Sequence, residues 1–214
     1  MKELTAIVFL FSLILGGGPN NRSSIINKKL NDTLPGFTEI KMDSLAMLNR
    51  MAYADTANFM HQAVYPCARC FLRPEVATAL EQANTIAKDK GYTIIIYDCY
   101  RPISIQYIMY KIVNNPEWVA KPTKGSNHNR GAAIDLSLAD ANGNLLDMGG
   151  AFDDFSEVSH YSYAGLSAAA KKNRKLLRGI MVRAGFSPYE SEWWHFDYKQ
   201  KRYPSSGLIW ACTN

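Results

Sequence analysis

One stretch, residues 125–138, constrains this chain more than any other; its sequence is GSNHNRGAAIDLSL. It places His128 seven residues before Asp135, and residues 132–138 are apolar enough for a buried strand. The segment EWWH near the other end adds Glu192 and His195. Two histidines and one carboxylate form a catalytic type of zinc site, which leaves a fourth position for water. The sequence therefore predicts one zinc ion per chain, bound by His128, Asp135 and His195.

A turn is needed to bring the first two ligands together. Side chains alternate along a strand, so His128, an odd number of positions from Asp135, would point away from it on a continuous strand. The residues Asn129, Arg130 and Gly131 lie between them and favour a turn. For His128 alone, a hydrogen-bonded structural role is the alternative, and the second segment favours metal binding.

Two charged residues suit hydrolysis beside such an ion. Glu192 stands three residues before His195, close enough to accept a proton without binding the metal. Arg101 follows a predicted buried strand and precedes Pro102, so its guanidinium suits a substrate carboxylate or an oxyanion. A surface role for Glu192 and a structural salt bridge between Arg101 and Asp98 are the alternatives.

The beginning of the chain has the pattern of an export signal. Lys2 precedes an apolar run at residues 4–15 and three glycines at residues 16–18. This run is too short to favour a membrane-spanning helix. We therefore expect residues 1–18 to be a signal peptide, and the protein to be periplasmic or associated with the cell envelope, without stable membrane insertion after cleavage. An uncleaved anchor and a disordered end are the alternatives.

The rest of the chain fits one domain. Its 47% hydrophobic and 20% charged residues exclude wholesale disorder and a coiled coil. The net charge of +5 is spread out, and its densest cluster, residues 171–178, contains no aromatic residues, which argues against nucleic-acid binding. We expect an irregular tether at residues 19–45 and one domain at residues 46–214.

Periodicity and turn residues predict an α+β fold with a small antiparallel sheet flanked by helices. Helices are expected at residues 74–90, 103–113 and 166–184. Strands are expected at residues 92–97, 132–138 and 193–198, and a hairpin turn at residues 140–143 leads into residues 144–148.

Four cysteines, Cys67, Cys70, Cys99 and Cys212, leave several pairings open. Export would permit disulfides, and the spacing of Cys67 and Cys70 could close a small loop. A lone pair of this spacing is weak evidence for structural zinc or for redox catalysis.

Three motifs together resemble one family. They are S-x-H-x-x-G-x-A-x-D at residues 126–135, E-W-W-H at residues 192–195 and Y-R-P at residues 100–102. Together they resemble the zinc D-alanyl-D-alanine dipeptidases over residues 53–196. The resemblance implies a compact α+β domain related to the zinc domains of hedgehog-type proteins and D,D-carboxypeptidases.

The resemblance also implies a role for each matching residue. His128, Asp135 and His195 match the zinc ligands, Glu192 the catalytic base and Arg101 the group that stabilises the transition state.

Three further residues match the family's substrate site. Ser126 corresponds to a residue near the substrate carboxylate, while Tyr53 and Asp153 correspond to residues around the substrate ammonium. The implied reaction is hydrolysis of the small dipeptide D-Ala-D-Ala to two D-alanines. A D,D-carboxypeptidase or a peptidoglycan endopeptidase with the same zinc site and a non-catalytic zinc module that binds cell wall are the alternatives. The oligomeric state stays open.

Overall fold

The computed structural model describes residues 33–212, so the predicted signal peptide at residues 1–18 lies outside the described residues. The strands of the described part are β1 (Thr38–Ile40), β2 (Leu48–Asn49), β3 (Cys70–Leu72), β4 (Thr93–Asp98), β5 (Ala133–Ala139), β6 (Ser187–Tyr189) and β7 (Glu192–Asp197). Its α-helices are α1 (Pro74–Lys88), α2 (Ile103–Val113) and α3 (Ala168–Arg183). Among these residues no helix combines the length and the apolar character needed to cross a bilayer.

The main sheet confirms the predicted α+β class. Its strand order is β2-β4-β5-β7-β6, and β1 pairs with β3 in a separate two-stranded sheet. All neighbours are antiparallel except β2 and β4, which are parallel. Parallel pairing requires a long crossover, and here β3 and α1 lie between the two strands in the chain. The sheet is therefore mixed rather than purely antiparallel as predicted.

The central strand β5 carries the core and the site on opposite faces. All seven of its residues are buried. Residues 134, 136 and 138 share one face and residues 133, 135 and 137 share the other, because side chains alternate along a strand. The first face belongs to the hydrophobic core, with Ile134, Leu136 and Leu138. Asp135 is therefore carried on the other face of a strand that the core holds in place.

Helices α1 and α3 pack against each other, and α1 also contacts β4. The side chains that they bury include Val76, Leu80 and Ala83 on α1 and Leu177, Ile180 and Met181 on α3. Proline at the first position of α1 lacks only a backbone N–H that would have no partner inside the helix. The Ser167 hydroxyl accepts a hydrogen bond from the Ala170 N–H at 3.0 Å and caps α3.

The predicted helices and the three predicted strands are confirmed within two residues of their expected ends. The second arm of the predicted hairpin, at residues 144–148, is not confirmed. The turn at residues 140–143 forms, and an isolated bridge between Ala139 and Leu145 spans it, but residues 144–148 form no strand. The Asp147 carboxylate accepts a hydrogen bond from the Gly149 N–H at 2.8 Å, and Gly149 has a φ of +77°. This local turn takes the chain away before a second ladder can form.

The expected irregular tether at residues 19–45 is wrong for residues 38–40. These residues form β1, and Thr38, Glu39 and Ile40 pair with β3 in antiparallel register. The strand is short and lies in a polar stretch of the sequence, but Ile40 and Met42 are buried in the core. Residues 19–32 lie outside the described part of the chain.

The cysteines form two long-range disulfides, Cys67–Cys212 and Cys70–Cys99. The small loop that a disulfide between Cys67 and Cys70 would close is therefore not formed. Cys70 lies in β3 beside the end of β4, whereas the Cys67 carbonyl accepts a hydrogen bond from the indole of Trp210, near the end of the chain. Two cysteines that are close in the sequence are therefore bonded to different parts of the chain.

Candidate metal centre and substrate cleft

Three donor atoms from the predicted ligands meet at one point. The Nε2 atom of His128 lies 3.1 Å from Nδ1 of His195 and 3.3 Å from Oδ1 of Asp135. The third distance, from His195 Nδ1 to Asp135 Oδ1, is 3.0 Å. Two ligands bonded at about 2.0–2.1 Å to one tetrahedral ion lie about 3.3 Å apart. The three side chains therefore fit a single metal ion, as the sequence predicts.

Local backbone structure explains how the ligands converge. Residue 135 on β5 is paired directly with residue 195 on β7, so two ligands come from neighbouring strands. His128 opens the short 3-10 turn His128–Arg130, and Gly131 ends this turn at a φ of +65°. A Cβ atom at Gly131 would lie 2.5 Å from the ring of Phe37, so no larger residue fits there. This is the turn that the sequence predicts between His128 and Asp135.

Outer hydrogen bonds fix which ring nitrogen of each histidine faces the centre. His128 donates from Nδ1 to the Cys99 carbonyl at 2.6 Å, and His195 donates from Nε2 to the Asp197 carboxylate at 3.0 Å. Such partners are typical of metal-binding histidines, because they orient the ring and fix its tautomer. Asp197 is absent from the sequence prediction, although its position two residues after His195 places it on the same face of β7.

The centre holds strongly coupled charges. Burial alone would raise the pKa of Asp135, but the charges and hydrogen bonds of His128 and His195 outweigh it and lower that pKa. Burial would likewise lower the pKa of His195, but its bonds to Asp135 and Asp197 hold that pKa well above its ordinary value. The ring nitrogens that face the centre would bind a metal ion only in their deprotonated form, so metal binding there would be pH-dependent.

Glu192 lies beside the ligands without joining them. Its Oε2 atom is 3.8 Å from Nδ1 of His195, and its side chain is 20% exposed. Burial raises the pKa of Glu192, and the charge of Asp135 adds to the effect. A carboxyl group with a raised pKa next to a metal site has the position and the proton affinity of a general base.

Arg101 forms the salt bridge with Asp98 that the sequence offers as an alternative, and it also lines the cleft. Its guanidinium forms a buried salt bridge with Asp98 at 2.6 Å and donates to Gln106 at 3.1 Å. The bonds to Asp98 use two of its five N–H groups and the bond to Gln106 uses a third. Arg101 also lines the cleft, and these contacts leave two of its N–H groups unused.

Tyr53 and Asp153 meet although 100 residues separate them in the chain. The Tyr53 hydroxyl donates to the Asp153 carboxylate, with distances of 3.2 and 3.1 Å to its two oxygens. Asp153 has a φ of +61°, in the left-handed region that is strained for most residues other than glycine. Burial raises the pKa of Asp153 well above its ordinary value, and the charge of Asp135 adds to the effect.

All eight residues selected from the sequence line one cleft of about 830 Å³. They are Tyr53, Arg101, Ser126, His128, Asp135, Asp153, Glu192 and His195. The Ser126 hydroxyl accepts a hydrogen bond from the His128 N–H at 3.2 Å, which joins Ser126 to the turn that carries the first ligand.

An aromatic wall, formed by Phe59, Trp118 and Phe155, also lines this cleft. Phe155 stacks on Trp118 with ring centroids 5.4 Å apart, and its ring packs edge-on against Phe59 at 5.1 Å. Phe59 in turn contacts Tyr53. The wall therefore adjoins the Tyr53 and Asp153 pair. These three residues come from separate loops, and no local pattern in the sequence marks them.

Comparison with known proteins is consistent with this site. A family model described as D-ala-D-ala dipeptidase matches residues 40–210. The D-alanyl-D-alanine dipeptidase of Escherichia coli K12 is 43% identical over 163 residues, which cover 76% of this chain and 84% of the relative. The Enterococcus faecium enzyme of the same name is 33% identical over 175 residues, which cover 72% of this chain and 87% of the relative.

Among solved structures, the LdcB LD-carboxypeptidase is similar with a TM-score of 0.42 and 24% identity, over 60% of this chain and 59% of that chain. The family match and the two dipeptidase relatives each cover more than two thirds of the chain. The chain therefore belongs to the D-alanyl-D-alanine dipeptidase family of peptidases.

Proposed function

We propose that this protein is a zinc-dependent hydrolase that cleaves D-Ala-D-Ala into two D-alanines. The observation that carries the proposal is the triangle of donor atoms from His128, Asp135 and His195, with edges of 3.0–3.3 Å. Two imidazoles and one carboxylate are the donors of catalytic zinc sites. The two dipeptidase relatives are named for this substrate.

The residues around the centre have distinct tasks in this proposal. Zinc, when bound, would polarise the scissile carbonyl and lower the pKa of a bound water towards about 7. Glu192 accepts the proton of the attacking water and passes it to the leaving amine. Arg101 directs its two remaining N–H groups at the negative charge that develops on the carbonyl oxygen.

The two ends of the cleft suit the two charges of a free dipeptide. The Asp153 carboxylate, held by the Tyr53 hydroxyl, pairs with the substrate ammonium. Ser126, on the turn beside the metal ligands, takes the substrate carboxylate. Since the aromatic wall adjoins the Asp153 end, a peptide extended at its amino end would meet this wall and would bring no ammonium group to the Asp153 carboxylate. This arrangement favours a dipeptidase over a D,D-carboxypeptidase or an endopeptidase.

A non-catalytic zinc module that binds cell wall is the alternative of another class. Glu192 argues against it, because a binding module does not need a base 3.8 Å from a metal ligand.

A two-substrate assay tests the proposal. The zinc-loaded protein is incubated with D-Ala-D-Ala and, separately, with a muramyl pentapeptide that ends in D-Ala-D-Ala, and released D-alanine is measured with and without a chelator. We expect release from the dipeptide alone, loss with the chelator and recovery with added zinc. Release from the pentapeptide would support a carboxypeptidase, and zinc binding without any release would support the binding module.

We also propose that the protein is exported to the periplasm or the cell envelope. The charged start and apolar run at residues 1–18 support this location. The disulfides Cys67–Cys212 and Cys70–Cys99 support it as well, because disulfides persist mainly in oxidising compartments. Fractionation of cells that produce the full chain, with sequencing of the mature amino terminus, tests it; cytosolic protein that keeps Met1 would contradict it.

A further inference from the structure

The segment at residues 98–101 supports both the arginine and a metal ligand. Asp98 accepts hydrogen bonds from Arg101 and, at 2.6 Å, from the Tyr65 hydroxyl. The Cys99 carbonyl accepts the bond from Nδ1 of His128 at 2.6 Å. The Arg101 N–H donates to the His128 carbonyl at 3.0 Å. A displacement of this segment would therefore alter the orientation of His128.

The ladder of the main sheet holds only the first residue of this segment, where Asp98 pairs with Asp135. The register between β4 and β5 shifts between Ile96 and Asp98, and the regular part of β4 ends at Asp98. The next two residues, Cys99 and Tyr100, are tied to β3. Cys99 is bonded to Cys70 in that strand, and the Tyr100 N–H donates to the Phe71 carbonyl at 3.0 Å.

The covalent link and the supporting carbonyl belong to the same residue. The disulfide fixes the position of Cys99 relative to β3, and the carbonyl of Cys99 fixes the ring of His128. Both sulfur-bearing residues are completely buried. The neighbouring strand β3 is itself paired with β1, and the adjoining Arg73 N–H donates to the Gly131 carbonyl at 3.0 Å. The link thus joins the metal-ligand turn to a second sheet.

We propose that the Cys70–Cys99 disulfide is a positioning element of the metal centre, which keeps the Cys99 carbonyl where it orients Nε2 of His128 towards the ion. This inference rests on the proposed zinc site. It implies that the chain reaches full zinc affinity only after this bond has formed, so the metal centre matures in an oxidising compartment.

The other disulfide offers a matched control. Cys67–Cys212 spans 145 residues in the chain, against 29 for Cys70–Cys99. In the chain-entropy account, the longer loop contributes at least as much stability. Neither of its cysteines bonds to a metal ligand in the described residues. Loss of Cys67–Cys212 should therefore lower the melting temperature at least as much as loss of Cys70–Cys99, without a direct effect on His128.

Zinc affinity of two double variants tests the proposal. The dissociation constant for zinc is measured by chelator competition for the wild type, for C70A/C99A and for C67A/C212A, together with the Tm of each. We expect zinc to bind up to about 10–100-fold more weakly to C70A/C99A, the range seen when the outer partner of a ligand is altered, because the carbonyl of residue 99 stays but is no longer held in place. We expect C67A/C212A to retain the wild-type zinc affinity despite its lower Tm.

Two further readouts separate positioning from general loss of structure. The Nδ1 proton of His128, followed by NMR of the imidazole nitrogens in the zinc-loaded protein, should exchange with water faster in C70A/C99A than in C67A/C212A. The variant C70V/C99A fills part of the buried space, so its Tm should lie above that of C70A/C99A without a gain in zinc affinity. It also provides the measurement if C70A/C99A does not fold.

Equal zinc affinity in all folded variants would overturn the inference, and so would an equal loss in both double variants. A wild-type protein that binds no zinc would instead overturn the proposed function.

Discussion

The metal centre and the substrate end of the cleft are built in different ways. Asp135 and His195 lie on paired strands, and their positions follow from the register of a buried sheet. Tyr53 lies on the 3-10 turn Ala52–Ala54, and Asp153 lies on a loop with a φ of +61°. Sites on strands are held more precisely than sites on loops. In the proposed function, the reaction therefore depends mainly on residues that the sheet holds, and the choice of substrate depends on the loops.

This difference predicts different kinetic effects for the two halves. Changes at the metal centre should lower kcat or zinc affinity, while changes at the loop end should mainly raise KM. A variant that breaks this division would show that the two halves are not independent.

The largest effect is expected for Glu192→Gln. The amide keeps the shape of the side chain but cannot accept the proton, so kcat should fall by about two to four orders of magnitude. Zinc content should stay at one per chain, because Glu192 lies outside the ligand triangle. The measurements are kcat and metal content of the purified variant. A loss of zinc would instead make Glu192 a ligand.

Arg101→Ala should lower kcat/KM by about two orders of magnitude or more, because the loss of one oxyanion donor typically costs about 3 kcal/mol of barrier. The variant also leaves the buried Asp98 carboxylate without its ion partner, so we expect a lower Tm. Arg101→Lys keeps the charge but cannot form the same two hydrogen bonds to Asp98. Its kcat/KM should therefore lie between those of the wild type and Arg101→Ala. Unchanged turnover with bound zinc would remove Arg101 from the mechanism.

Asp197→Asn tests the outer shell of the metal centre. The Asp197 carboxylate accepts the Nε2 proton of His195 at 3.0 Å. Replacing it with an amide weakens that bond and should weaken zinc binding about 10–100-fold. Chelator competition measures the effect, and Lys199→Ala is a control, since Lys199 contacts the other carboxylate oxygen from a side chain that is 59% exposed. Equal zinc affinity in both variants would show that Asp197 does not support the ligand.

Asp153→Asn tests the loop half and should raise KM for D-Ala-D-Ala about tenfold or more, with a smaller change in kcat. Burial raises the pKa of Asp153, so its carboxyl group keeps a proton to a higher pH than usual. Only the ionised form of Asp153 pairs with an ammonium. The KM of the wild type should therefore fall as the pH rises through the raised pKa of Asp153. The asparagine variant should lose that part of the pH dependence. An equal dependence in both proteins would assign it to another group.

Parts of this structure follow from local sequence and others do not. His128, Asp135 and His195 could be predicted from donor chemistry, alternation along strands and the glycine turn. Asp197 follows from the same alternation, two residues beyond a ligand, and could have been predicted too. The pairing of Tyr53 with Asp153 followed only from resemblance, because loop closure over 100 residues leaves no local pattern.

Tertiary packing determined the remaining features. Two cysteines three residues apart form disulfides with distant parts of the chain, Cys70 with Cys99 after β4 and Cys67 with Cys212 near the carboxyl end. Strand β1 lies in a polar stretch, and the strand that it pairs with, β3, is about 30 residues away in the sequence. For Arg101, the salt bridge and the cleft position were treated as alternatives, but a guanidinium has enough donors for both.

The most direct test of the central claim is a crystal structure of the zinc-loaded protein with anomalous scattering measured at the zinc edge. The account predicts one strong peak at about 2.0–2.2 Å from Nε2 of His128, Oδ1 of Asp135 and Nδ1 of His195, with Glu192 close by but not bonded. A peak elsewhere, or one bound by fewer than these three atoms, would contradict it.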